Sequence, residues 1–195
     1  MSLNNEPLIG FGDVQFSLAV YIGNQPDMPE YQFLDKLVPL QANDISEIGK
    51  SCGNGWRKVF NVYAKLLYAL DKKLFKFSNQ VPTWQLYRDQ YLLKANSGTA
   101  LIFNMPQLTP CLNDSSYNNC NARERLHIIC GRTYAKKMLA NGELSLQLIW
   151  LNEEFAIDRK QRVIVSPYFD YRQLSNQKIE YLSLMLNDLM RSINS

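Results

Sequence analysis

Three polar clusters in this chain carry side chains able to hold a ligand or assist a reaction. In Asn24-Gln25-Pro26-Asp27, two amides and a carboxylate stand within four residues. Pro26 and Pro29 bar easy continuation as strand or helix, so Asn24, Gln25 and Asp27 must project from a shaped turn. Asn104 ends a second apolar run, and Ser166-Pro167-Tyr168, followed by Asp170 and Arg172, ends a third. Each cluster also has an ordinary structural reading. Asn24, Gln25 and Asp27 are good turn formers, Asn104 can cap the loop after its strand, and Ser166-Pro167-Tyr168 can be a turn with Asp170 and Arg172 solvated. Hydrolase chemistry of the nucleophile-elbow type is disfavoured, because there is no Gly-x-Ser-x-Gly and the single histidine, His127, has no evident nucleophile beside it. Neither a P-loop nor a full Gly-x-Gly-x-x-Gly occurs, so no cofactor is expected. Cys52, Cys111, Cys120 and Cys130 lack Cys-x-x-Cys spacing, which argues against a zinc or iron–sulfur site. They read as reduced thiols of a cytoplasmic protein, with Cys130 a core residue.

What must position these clusters is a set of short apolar runs, each ending in a polar tip. Ser17–Asp27 begins with a β-favouring run that stops at Gly23. Thr99–Asn104, Leu126–Gly131 and Arg162–Pro167 repeat the pattern. In open α/β sheets ligands sit beyond the carboxyl ends of the strands, so the four tips are expected to converge on one pocket. Helical spacing is clearest over Trp56–Leu70, where Val59, Phe60, Val62, Tyr63, Leu66, Leu67 and Leu70 share a face and Asn54 is a candidate cap. Arg57, Lys58, Lys72, Lys73 and Lys76 around its ends read as a solvated face or as phosphate contacts. Further helices are expected near Tyr31–Leu37, from Thr83 or Trp84 to Ala95, over Thr133–Leu139, and from Ser175 or Asn176 to about Arg191. Leu144–Leu151 and Arg162–Val165 read as strands joined through the polar segment Asn152–Gln161. Strands alternating with helices imply a single α/β domain over residues 1–195, a three-layer αβα sandwich on a mainly parallel four- or five-stranded sheet.

Set in order, the four tips resemble the layout of the uracil-DNA glycosylase superfamily. Val20-Tyr-Ile-Gly-Asn-Gln-Pro-Asp27 is similar to that family's apolar strand followed by Gly-Gln-Asp-Pro-Tyr or Gly-x-Asn-Pro. Leu101-Ile-Phe-Asn104, with Leu108-Thr109 after it, is similar to a strand ending Leu-Leu-Leu-Asn before a Leu-Thr pair. Ile128-Ile-Cys-Gly-Arg-Thr-Tyr-Ala-Lys-Lys137 resembles a strand that ends in Gly and enters a helix holding Ala-x-Lys. Val163-Ile-Val-Ser-Pro167 keeps only the Ser-Pro of the closing His-Pro-Ser-Pro.

That resemblance implies a base held in a pocket, a water aligned against the glycosidic carbon, and donors that stabilise the departing base anion. It places Gln25 at the water-aligning position, one methylene longer than the family's Asn, with Asp27 the nearest carboxylate. Asn104 matches the base-reading Asn, and Gly23 and Asn24 share the base pocket. Ser166, Pro167, Tyr168 and Arg172 are the expected nucleic-acid contacts. Ile164 stands where the family has its histidine, and no stacking aromatic is assigned beyond the guesses Tyr31 and Phe33. The expectation is a divergent, weakly active or non-catalytic relative that binds DNA or a nucleobase-like ligand, without a metal. An active glycosylase using Gln25 or Asp27 is the second reading. The third is an α/β protein of unrelated function with a small-molecule or protein partner. A net charge of +3 permits a nucleic-acid partner without demanding one, and no apolar run approaches the length of a membrane helix.

Overall fold

Leu18–Ile22 buries all five of its side chains, as a strand covered on both faces must. Leu18, Val20 and Ile22 join one apolar layer, while Ala19 and Tyr21 join the opposite one. The computed structural model describes residues 7–106, 108 and 125–193. Its strands are β1 (Gly10–Gly12), β2 (Leu18–Ile22), β3 (Leu37–Val38), β4 (Thr99–Ile102), β5 (Leu126–Cys130), β6 (Ile149–Trp150), β7 (Ala156–Asp158) and β8 (Val163–Ser166). Its helices are α1 (Asp44–Ser51), α2 (Asn54–Ala69), α3 (Trp84–Gln90), α4 (Arg132–Ala140) and α5 (Asn176–Ile193).

The strands form one eight-stranded sheet in the order β3-β1-β4-β2-β5-β8-β7-β6. β4, β2, β5 and β8 are mutually parallel neighbours, and these are the four apolar runs with polar tips. The expectation of a four- or five-stranded, mainly parallel sheet therefore describes only the centre. β1 adds antiparallel to β4, and β7 and β6 add antiparallel beyond β8. The whole is a mixed α/β sheet.

The largest apolar cluster lies between one sheet face and helices α1, α2 and α5, and Tyr87 of α3 is buried in it too. On α2, Trp56, Val59, Phe60, Tyr63, Leu66 and Leu67 are buried, following the helical spacing in the sequence. Tyr63 clamps the sheet from this side, its hydroxyl lying 3.1 Å from the carbonyls of both Leu18 and Ala100. α4 covers the other face through Ala135 and Met138 against Ile129, Val163 and Val165.

Several local expectations are corrected. Gly53, at φ 81°, is the N-cap of α2, and Asn54 is already its first helical residue. Tyr31–Leu37 is not a helix: a 3-10 turn (Pro29–Tyr31) precedes β3, and the helix follows at α1. α3 stops at Gln90 rather than Ala95, and Leu93 adopts φ 59°, with its N–H donating to the Thr99 hydroxyl. Of Leu144–Leu151 only Ile149–Trp150 is strand, and the connector Asn152–Gln161 holds β7. Lys58 leaves the solvated face to pair with Asp170. Thr109, Cys111, Cys120 and the Asn113–Asn121 loop lie outside the described residues.

Candidate functional site

From β2 the chain crosses to β4 on one side, and from β5 it crosses to β8 on the other. The crevice beyond the carboxyl ends of β2 and β5 is therefore the point where the sheet's winding reverses, the usual ligand position in such folds. A cleft of about 710 Å³ lies there. Its walls come from Gly23 and Asn24 after β2, Cys130 to Tyr134 and Lys137 after β5, Pro167, Tyr168 and Gln173 after β8, and Glu153 and Glu154 before β7.

Local chemistry explains how these segments reach one another. Gly131 has φ 109°, a backbone conformation that side-chain-bearing residues rarely adopt, and it turns the end of β5 directly into α4. The N-cap Gly131 has no side chain to cap α4, and the first turn of the helix borders the cleft with the positive end of the helix dipole behind it. The Tyr134 ring lies on Gly23, where an added Cβ would come within 2.9 Å of it. Asn24 and Tyr168 are 144 residues apart, yet the Tyr168 hydroxyl donates to Asn24 Oδ1 at 3.1 Å. Burial raises the Tyr168 phenol above its ordinary pKa, which keeps it a neutral donor.

The loop after β8 is held from below. Phe169 N–H donates to Cys130 Sγ at 3.2 Å, and burial pushes that thiol up to about 12, so it acts as a packed acceptor rather than a nucleophile. Lys58 on α2 binds Asp170 at 2.7 Å and lies 5.0 Å from the Tyr171 ring centroid. The hydrogen bond from Lys58 is the main reason the Asp170 carboxyl sits below the usual carboxylate range. At the rim, Arg132 donates to the Glu153 carbonyl, and Lys178 pairs with Glu154 at 2.6 Å. The result is a cleft with two tyrosine rings, two amide side chains, a helix N-terminus and mixed charge at its mouth. It can pack a flat polar group against a tyrosine ring and receive an anion at the amino end of α4.

The residues singled out in the sequence divide between this cleft and elsewhere. Gly23, Asn24, Pro167 and Tyr168 line it. Ser166 is buried beneath it: its hydroxyl donates to the Pro167 carbonyl and its own carbonyl accepts from Gly131 N–H. Gln25 and Asp27 are exposed and do not line it, and Asp27 accepts from the Gln32 side chain. Arg172 is exposed outside it, its backbone N–H donating to Asp170, so Asp170 is engaged rather than freely solvated.

Asn104 is occupied elsewhere. Its Oδ1 accepts from Ile9 N–H at 2.9 Å and its Nδ2 donates to the Pro7 carbonyl at 3.0 Å, stitching the incoming chain to the end of β4. Of the suggested stacking rings, Phe33 is 89% exposed and Tyr31 packs edge-on against Phe11. Neither lines the cleft; Tyr134 and Tyr168 do. Ile164 is fully buried within β8. His127 is sealed in the layer opposite α2, 3.0 Å from the Tyr21 hydroxyl, and burial lowers its pKa to about 3. Arg132 and Tyr134 were not singled out as site residues, although Gly131 between an apolar run and a helical pattern signals an exposed helix start.

The sequence model of the family of unknown function DUF6942 matches residues 9–187, and the chain belongs to that family. No curated protein and no solved structure matches it.

Proposed function

We propose that this protein binds a base-like ligand in the cleft between the ends of β2, β5 and β8, as a divergent, non-catalytic relative of the uracil-DNA glycosylases. The observation that carries the reading is the meeting of the first and last tips, Asn24 and Tyr168, across a cavity of about 710 Å³ at the reversal point of the sheet. That volume falls within the roughly 300–1,000 Å³ of small-molecule sites. Tyr134 and Tyr168 supply flat faces for a ring, Asn24 supplies an amide for its polar edge, and the start of α4 with Arg132 suits an anionic substituent.

The same geometry argues against base excision. Gln25 and Asp27 stand outside the cleft, and Ile164, where the sequence resemblance to the glycosylases would put their histidine, is an apolar residue buried in β8. Each missing group of that kind is worth roughly 10²–10³ in rate.

Titration calorimetry with uracil, uridine 5′-monophosphate and a uracil-containing single strand tests the reading. Saturable binding of the monophosphate, weakened roughly tenfold or more by Asn24→Ala or Arg132→Ala, is expected. Tighter and steeply salt-dependent binding of the strand would assign the nucleic-acid form instead. No binding of any of the three at low salt rejects the proposal. Base release from the strand that Gln25→Ala and Asp27→Ala abolish would replace it with the catalytic reading.

A further inference from the structure

Among the described residues the sheet ends at β6, which pairs with β7 on one side and with no strand on the other. In this register Ile149 faces Ile157 and Trp150 faces Ala156, and the Leu151 N–H donates to the Phe155 carbonyl. Backbone groups alternate in direction along an antiparallel pair, so Ile149 and Leu151 turn theirs toward β7 while Trp150 turns its N–H and C=O outward. Folded proteins commonly protect such an edge with a lysine, a proline or a covering element. The run Leu144–Asn152 holds neither a charged residue nor a proline.

The side chains around this edge are apolar and open to solvent. Five of the nine exposed large apolar side chains among the described residues are here: Ile149, Trp150, Leu151, Tyr181 and Leu184. Ile157 and Phe155 belong to the apolar layer under α5, so Ile149 and Leu151 opposite them stand on the α5 side of the sheet. The Phe155 and Tyr181 rings meet edge-on with centroids 5.1 Å apart, and Arg159, just after β7, binds Asp188 at 2.7 Å. Tyr181, Leu184 and Asp188 therefore form one stripe of α5 directed at the edge. Trp150 stands on the other face, with Lys136 Nζ of α4 5.0 Å from its ring centroid. Single exposed apolar side chains are ordinary, but a contiguous group beside an open strand marks an interaction surface.

We infer that a second copy of this chain occupies the edge, with β6 pairing antiparallel to its own counterpart about a two-fold axis at Trp150. The edge is self-complementary in that register. The outward N–H and C=O of Trp150 meet the same two groups of the second copy, and Ile149 of each copy falls opposite Leu151 of the other. Gln147 falls opposite Glu153, so no like charges are opposed along the strand. Both copies carry α5 on the same face of the joined sheet, and Tyr181 and Leu184 of each flank the junction. One strand pair with a few apolar side chains is small for an interface, so the dimer is a weak one, with a dissociation constant on the order of 100 µM. β6 runs parallel to β8, and its counterpart runs the opposite way, so the two clefts open at opposite edges of the joined sheet. The pairing is independent of what the cleft binds.

Sedimentation velocity of the full chain from about 10 µM to about 1 mM, with amide exchange followed by NMR at both concentrations, tests it. The expected result is a reversible monomer–dimer equilibrium, with the Trp150 amide exchanging roughly fourfold more slowly in the concentrated sample. Ile149→Lys puts a charge into the junction, and Trp150→Pro removes the outward N–H. Both variants should stay monomeric throughout and melt close to the dilute wild type, because Ile149 is 62% exposed and the Trp150 N–H points away from β7. The proposal is overturned if the wild type is monomeric at the highest concentration, which leaves the edge to a different protein. It is also overturned if Ile149→Lys dimerises as the wild type does, or if a dimer forms without slowing exchange at Trp150.

Discussion

Asn104 and Asn24 both follow a buried parallel strand, yet the fold treats their side chains in opposite ways. At the end of β4 a second stretch of chain arrives, and Pro7 and Ile9 take both ends of the Asn104 amide. At the end of β2 no such stretch among the described residues covers Asn24, whose oxygen takes a hydroxyl from Tyr168 on the wall of an open cleft. The same division separates His127 and Tyr21, which spend their polarity on each other, from the first N–H groups of α4, which no side chain among the described residues caps. A polar tip becomes a fastening or a site according to what lands on it.

Substitutions can break this contrast or sharpen it. Asn104→Ala should have the largest effect on stability, about 2 kcal/mol, because it strands a backbone donor and a backbone acceptor, and it should leave ligand binding in the cleft unchanged. Urea denaturation together with calorimetry checks both halves, and loss of binding would show that the fastened tip belongs to the site after all. His127 tests the sealed group by pH. Its native pKa of about 3 lies below the ordinary value near 6.5, so the unfolded chain takes the proton first and stability falls as pH drops from about 6.5 toward 3. The loss should reach about 2 kcal/mol by pH 5, and His127→Gln should remove it.

Gly131→Ala forces a side chain into a left-handed conformation and should cost about 1–2 kcal/mol while also weakening cleft binding. Lys58→Met should cost up to about 1 kcal/mol by freeing the loop after β8. The pair's contribution is present above about pH 4 and fades as pH falls through that value toward the lower native pKa of Asp170, so the variant should lose that part of the acid sensitivity. Asn24→Ala should change stability least, by about 0.5 kcal/mol or less, and act on binding alone.

The central strands were legible because each is an apolar run cut off by glycine or a polar tip, as in Leu126–Gly131. Their convergence followed from α/β topology. The edge strands were not legible. Gly10-Phe11-Gly12 has no alternation, and an added Cβ on Gly10 would come within 2.1 Å of the Leu101 carbonyl oxygen, so glycine there serves a close approach that only the partner strand reveals. Two-residue β3 and β6 are too short to carry a period. For the site, Asn24 and Tyr168 could be found from local pattern. The diversion of Asn104 could not, because its partners lie 95 and 97 residues away.

The pairing of β2 also sets a timetable. Its neighbours are β4 and β5, and Leu18 meets Leu126 more than a hundred residues further along the chain. At translation rates of about 5–20 residues per second, the first apolar strand of the parallel core waits on the order of ten seconds for its second partner to be made. During that interval a stretch of five apolar residues is without the edges that later shield it. Nascent chains halted shortly before residue 126 should be far more open to protease and chaperone capture than chains halted soon after β5 has emerged.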